Sequence, residues 1–184
     1  MTLQLYAISQ STTKKQVKQK LKKMPSNLND SYASSLGRVN QQPDDFRTLA
    51  YRILLWLSRA RRPLSRQELS QAVAVEIGDV CLDEDNIPEE EIMTRVCMGL
   101  VVVDSDTSII CLVHFSMQEY LQTYFESSSE ARLILEEKDV IDMIVKTCLT
   151  ILLFDEFSKE ECKSDIEFEL RMQEYPIFFY AALN

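Results

Sequence analysis

Leu100-Val101-Val102-Val103-Asp104-Ser105-Asp106-Thr107-Ser108-Ile109-Ile110-Cys111-Leu112-Val113-His114-Phe115 holds two apolar, β-branched runs joined by a short polar linker. Branched side chains suit extended, half-buried backbone, whereas Asp-Ser-Asp-Thr suits a turn, so the stretch predicts a β-hairpin. An amphipathic helix then leaves the second run and ends near Phe125. Ser116, with Glu119 three residues on, reads as a capping box at its start. His114, the one histidine of the chain, is thereby placed at a strand-to-helix junction, near the positive end of a helix dipole where anions are readily held.

Working upstream, Phe46, Leu49, Ala50, Ile53, Leu54 and Leu57 recur at helical spacing, with Trp56 beside that stripe. The break Gln41-Gln42-Pro43-Asp44-Asp45 precedes this helix, and its two aspartates suit a helix N-terminus. Arg59-Ala60-Arg61-Arg62-Pro63-Leu64 ends it and turns the chain. Ser65-Arg66-Gln67-Glu68 is a capping box that opens a second helix, with Leu69, Ala72 and Val73 inward. A third starts at Glu89-Glu90-Glu91, carries Ile92, Val96 and Cys97, and stops at Gly99, as helices do at a C-terminal glycine. Helix, helix, helix, hairpin, helix over roughly residues 46–125 describes a winged helix-turn-helix with its wing.

The flanks are helical. A helix is expected at 12–23, stopped by Pro25, and another carries Leu28, Tyr32, Leu36 and Val39. Downstream come a long apolar helix at about 130–154, a polar break at Ser158 to Lys163, and a last helix ending in Tyr175-Pro176-Ile177-Phe178-Phe179-Tyr180-Ala181-Ala182. The expected fold is mainly α: a helical lead-in at 1–43, a winged-helix domain at 44–126 and a helical subdomain at 127–184.

Composition narrows the function. With 20 Lys and Arg against 29 Asp and Glu, the net charge is −9, and a pI near 4.7 argues against a general nucleic-acid binder. Lys14 to Lys23 runs against this trend, with six lysines and no acid. It reads as the solvated face of a short helix with Val17, Leu21 and Met24 buried; a nuclear-localisation or polyanion patch is the alternative. The five cysteines, Cys81, Cys97, Cys111, Cys148 and Cys162, form no C-x-x-C pair, so neither a zinc site nor a disulfide framework is expected. The acidic stretch Glu76 to Pro88 lacks the ligand spacing of an EF-hand and reads as a solvated loop. No signal peptide is apparent, and runs such as Cys148 to Phe154 are too short to span a bilayer, so a reduced, cytoplasmic protein is expected.

Several collinear blocks carry a resemblance. They are Lys22 to Leu28 with Tyr32, Ile53 to Leu64, Glu68-Leu69 with Ala72 to Glu76, Val96 to Val101, Val113 to Tyr120, and Tyr175 to Ala182. The fifth matches H-x-(S/T)-x-Q-E-(F/Y). Together they resemble the region downstream of the ATPase in fungal NACHT–ankyrin and NACHT–WD40 signal-transduction (STAND) ATPases, whose winged-helix part is also catalogued as the "GPI inositol-deacylase winged helix" domain. The resemblance implies a regulatory arm that packs on a NACHT ATPase domain and relays its nucleotide state to ankyrin or WD40 repeats. It implies that His114 contacts the phosphates of ADP or ATP held by that domain. The chain has no G-x-x-x-x-G-K-(S/T) loop, its three glycines being isolated, so no cofactor is expected on this chain alone.

Arg59, Arg61 and Arg62 form a small basic cluster, expected to make interdomain contacts, as are Phe178, Phe179 and Tyr180. A hydrolase built on Ser116 or Cys111 with His114 needs a convergence that adjacent strand positions seldom give, and no G-x-S-x-G elbow is present. No metal site and no enzymatic activity are expected. A stand-alone interaction module, such as a truncated receptor or decoy, is the second reading. A DNA-binding winged helix is the third, disfavoured because Glu89, Glu90 and Glu91 would face phosphates against Arg95 alone.

Overall fold

A computed structural model of the chain describes Thr13 and residues 28–104, 106–136, 139–158 and 162–183. The expected helix at 12–23 and the Lys14 to Lys23 stretch lie outside the described residues. The elements are α1 (Leu28–Asn40), α2 (Asp44–Arg59), β1 (Leu64–Ser65), α3 (Arg66–Ala74), α4 (Glu90–Val96), β2 (Val101–Val103), β3 (Ile109–Leu112) and α5 (Phe115–Ser127). They continue as α6 (Ser129–Ile134), α7 (Val140–Leu152), α8 (Asp155–Ser158), α9 (Asp165–Glu174) and α10 (Pro176–Leu183). The fold is mainly helical with a small antiparallel sheet, a winged helix with helical flanks.

The hairpin forms where the β-branched runs lie, pairing Val101 with Leu112 and Val103 with Ile110. Asp104 closes its turn, its carboxylate accepting from the backbone N–H of Asp106 and Thr107 at 2.9 and 3.2 Å. The sheet has a third strand where the sequence predicts only a turn. β1 pairs Leu64 with Ile110 and Ser65 with Ile109 on the other edge of β3, so the order is β1-β3-β2. A two-residue strand leaves no alternation to read, and only its long-range partner defines it.

α2 is the central helix. Ala50, Tyr51, Ile53, Leu54, Leu55, Trp56 and Ser58 are all buried, more of the circumference than one stripe, because α5, α3 and α4 each pack on it. Trp56, expected beside the buried stripe, is itself buried, and Phe46, expected inside, is 38% exposed. Phe46 sits in the first turn, where the Arg95 guanidinium, rather than a packed layer, lies over its ring at 6.0 Å. α3 opens on the expected capping box: Ser65 Oγ accepts from Glu68 N, and the Glu68 carboxylate accepts from Ser65 N. α4 ends with Met98 (φ 49°) and Gly99 (φ 82°) in the left-handed region. The carbonyls left open there are satisfied from the lead-in, Gln42 donating to Val96 O and Arg38 to Met98 O.

The trailing region departs from the expectation of two long helices. The first is split into α6 and α7, with Glu136 at φ 54° where α6 ends. The last is split at Tyr175, because Pro176 carries no N–H and disfavours helical backbone in the residue before it. That break is held by α3: Gln71, buried, donates to Glu174 O at 2.6 Å and accepts from Ile177 N at 3.4 Å. Tyr180 completes the seam, buried with its ring edge-on to Trp56 at 5.7 Å. No helix among the described residues is long and apolar enough to cross a membrane.

Candidate functional site

β3 ends at Leu112, and His114 takes an extended backbone (φ −155°, ψ 144°) as the N-cap of α5. The imidazole itself is the cap, Nδ1 accepting from Ser116 N at 3.2 Å. This corrects the capping box read from Ser116 and Glu119. The helix begins at Phe115, so Ser116 already lies within its first turn and its hydroxyl is turned elsewhere. Ser116 Oγ lies 2.8 Å from His114 Nδ1 and 2.9 Å from the Tyr32 hydroxyl of α1. With Nδ1 accepting, the neutral ring carries its proton on Nε2. That nitrogen makes no hydrogen bond among the described residues, and His114 is exposed.

His114 borders an open cleft of about 410 Å³ between the α2–β1 turn and β3. Leu57, Leu64, Ile110 and Leu112 line it with hydrocarbon, and Arg61, Arg62 and Gln118 join His114 as its polar members. The Arg59-Ala60-Arg61-Arg62 turn and the strand-to-helix junction are far apart in sequence. Pairing of β1 with β3 brings them to one place, so the strand missed in the sequence is what assembles the cleft.

The three arginines have different roles. Arg62 makes a two-pronged ion pair with Glu68, at 2.5 and 3.0 Å, and lies over the Tyr180 ring at 5.2 Å. Burial alone would raise the Glu68 carboxyl, but the hydrogen bonds from Arg62 and from Ser65 N outweigh it and hold the group below its ordinary value. Arg59 reaches α5, donating to Glu126 at 2.8 Å and to Gln122 O at 3.1 Å. Arg61 is exposed and its guanidinium has no carboxylate partner among the described residues.

The aromatic candidates divide in the same way. Phe178 stacks on Phe157 with centroids 3.9 Å apart, and the Tyr180 hydroxyl accepts from Arg61 N at 3.1 Å. Both are engaged inside the chain. Phe179 is 42% exposed and meets Phe168 edge-on at 6.2 Å.

The contact between Ser116 and His114 is closer than adjacent strand positions led us to expect. Its geometry is that of a cap, since Ser116 N shares the same imidazole nitrogen. No carboxylate orients the ring among the described residues. Cys111 lies on β3 with part of its surface open to solvent, and partial desolvation of the sulfur together with nearby Asp104 pushes its thiol up, away from the thiolate form a nucleophile needs. No group of three His, Cys, Asp or Glu side chains among the described residues could hold a metal ion.

Sequence reasoning missed Gln71, Gln118 and the Arg62–Glu68 pair. The six-residue spacing of that pair across a turn carries no periodic signal. Glu68 did stand out, but only as a cap.

The profile of the GPI inositol-deacylase winged helix domain matches residues 38–132, more than half of the chain. The chain belongs to that family. The winged helix domain so matched runs from the end of α1 to α6, and so includes the whole sheet, the His114 junction and the three arginines. No curated protein and no solved structure matches the chain.

Proposed function

We propose that this winged helix domain and its flanking helices form a non-catalytic regulatory segment of a NACHT-type nucleotide switch. It packs on the ATPase domain, in cis or in trans, and relays its nucleotide state to C-terminal repeats. The observation that carries the reading is the exposed His114, its Nδ1 used internally and its Nε2–H left as a donor, sharing a cleft with Arg61, whose guanidinium has no carboxylate partner among the described residues. A donor and a cation on an otherwise apolar cleft suit phosphate oxygens offered by a neighbouring domain. A charge-assisted hydrogen bond of this kind is worth roughly 1.5–3 kcal/mol, or about ten- to a hundredfold in affinity. It forms only when the segment is closed on the ATPase, so it favours the ADP-bound closed form.

Duplex DNA fits less well. α4, the third helix of the motif and its groove reader, opens with Glu90 and Glu91, and Arg66 is drawn to Glu90 as an ion pair. The wing turn carries Asp104 and Asp106.

The test is release of a fluorescent ADP from a NACHT ATPase domain assembled with the chain. His114→Ala is expected to speed release at least tenfold and, because it also removes the cap of α5, to lower the thermal melt modestly. His114→Asp keeps a cap acceptor without the ring donor and should melt as the wild type while still speeding release. Equal off-rates for wild type and variant would remove the sensor role. Association without any effect on ADP would favour a stand-alone interaction module, and salt-sensitive duplex binding would favour the DNA reading.

A further inference from the structure

On the other side of the Arg59–Arg61 turn, α7 and α10 enclose a second groove. It has a volume of about 340 Å³ and is lined by Ile144, Val145, Cys148, Leu149, Leu152 and Ala181, with Arg59 and Arg61 at its margin. Val145 and Leu149 are 55% and 54% exposed, and Leu153, one further turn along, is 73% exposed. Val145 and Leu149 on α7 and Leu153 in the turn just beyond it recur every fourth residue, and with Leu153 N donating to Leu149 O at 3.2 Å they form a stripe about 12 Å long. Three large aliphatic side chains in one row form an apolar surface of the kind that marks interaction sites.

The charge at the margin narrows what covers the groove. Arg59 is neutralised by Glu126, whereas Arg61 has no carboxylate partner among the described residues, in a chain with nine more acids than bases. An uncompensated cation beside an apolar channel is complementary to an apolar segment that carries a carboxylate at one end. The straight stripe on α7 extends past the enclosed groove to Leu153, which favours an elongated occupant over a small molecule. We propose that the α7–α10 groove is the docking site for an amphipathic helix of a partner protein. That helix lays aliphatic side chains at i, i+3, i+4 and i+7 against Val145, Leu149 and Leu153 and presents Glu or Asp to Arg61.

The docking site shares Arg61 with the His114 cleft, but its occupant touches neither His114 nor a nucleotide, so Leu149→Asp tests the docking site alone and His114→Ala the sensor role alone. The probe is a fluorescein-labelled helical peptide of about sixteen residues, with leucines at i, i+3, i+4 and i+7 on an alanine–glutamine background and two glutamates at one end. Its twin carries lysines in their place. Anisotropy titration with the full chain is expected to show saturable binding of the glutamate peptide and binding of the lysine peptide about fivefold weaker. Arg61→Glu should reverse that preference, and Leu149→Asp should weaken both peptides more than tenfold. Melting curves matching the wild type would show that both variants fold, and His114→Ala should bind as the wild type does. Equal affinity for the two peptides, indifference to Leu149→Asp, or no binding of either would each overturn the proposal. A chain that dimerises by light scattering, and becomes monomeric with Leu149→Asp, would overturn it in favour of a second copy as occupant.

Discussion

Tyr51, Leu54, Leu55 and Trp56 of α2 are essentially sealed from water, whereas Val145 and Leu149 of α7, Leu153 just beyond it, and Ile166, Phe168 and Leu170 of α9 remain 46–73% exposed. Both regions are rich in large apolar side chains, so composition does not separate them. The number of neighbours does. α2 is enclosed by α5, α3 and α4, while among the described residues α7 packs chiefly on α10 and α5. The winged helix therefore closes around α2 from several sides. The trailing helices join the same core through Val140, Met143, Ile151, Phe154, Ile177 and Tyr180, with α10 packed on α3 and Gln71 holding the α9–α10 break, but they leave one apolar face uncovered.

The largest effect expected is from Trp56→Ala, which removes the biggest fully buried side chain and the ring on which Tyr180 rests. Large aromatic truncations in cores cost about 3–5 kcal/mol, and here both regions should suffer together. Urea unfolding followed by circular dichroism and by tyrosine fluorescence should give one shifted transition. Two separated transitions would mean that the seam, rather than the core, depends on this residue. Gln71→Ala should cost less, about 1–3 kcal/mol, because it strands Glu174 O and Ile177 N without a buried partner. Hydrogen exchange is expected to lose protection in α9 and α10 and keep it in α2 and α5. Uniform loss across the chain would abolish the distinction between the enclosed surroundings of α2 and the trailing helices.

What was legible in the sequence follows the same divide. Period and caps revealed α2, α3, α4 and the hairpin, because Ser65 with Glu68, the β-branched runs and Gly99 act on backbone within a few residues. The order of these elements was enough for a winged helix. β1 was not legible, since two residues become a strand only by meeting β3, and the cleft beside His114 depends on that meeting. His114 itself stood out as the lone histidine at a junction. Its capping role did not, because an imidazole is an unusual acceptor for a helix N-terminus and the Ser116–Glu119 pattern offered a commoner one. In the trailing half the breaks near Glu136 and at Tyr175 carry local signals that the expectation of long helices passes over. The charged run Glu136-Glu137-Lys138-Asp139 interrupts the apolar pattern, and Pro176 disfavours helical backbone at Tyr175 and opens α10.

A pH titration sharpens the comparison at the junction of the two regions. Glu68 is held below its ordinary value near 4.5 by Arg62 and Ser65 N. Its folded pKa is depressed, so the stabilisation is complete above about pH 4.5 and is lost as pH falls toward the folded value. Glu68→Gln is expected to lower the urea midpoint at neutral pH and to flatten the decline between pH 5 and the acid limb. Parallel pH profiles for wild type and variant would show that the pair with Arg62 contributes nothing to folding.

The smallest effect is expected at Phe179, and it tests the trailing surface most directly. Its neighbour Phe178 is stacked on Phe157, so Phe178→Ser removes a packed ring and should destabilise the chain clearly. Phe179 is 42% exposed, beside a partner ring that is itself 46% exposed. Phe179→Ser should therefore change stability by no more than about 0.5 kcal/mol, as substitutions away from packed features do. The two variants differ by one position on one helix, so propensity and unfolded-state effects largely cancel between them. A loss at Phe179 equal to that at Phe178 would mean that the Phe168–Phe179 contact closes a core of its own, and the trailing helices would then be as enclosed as α2.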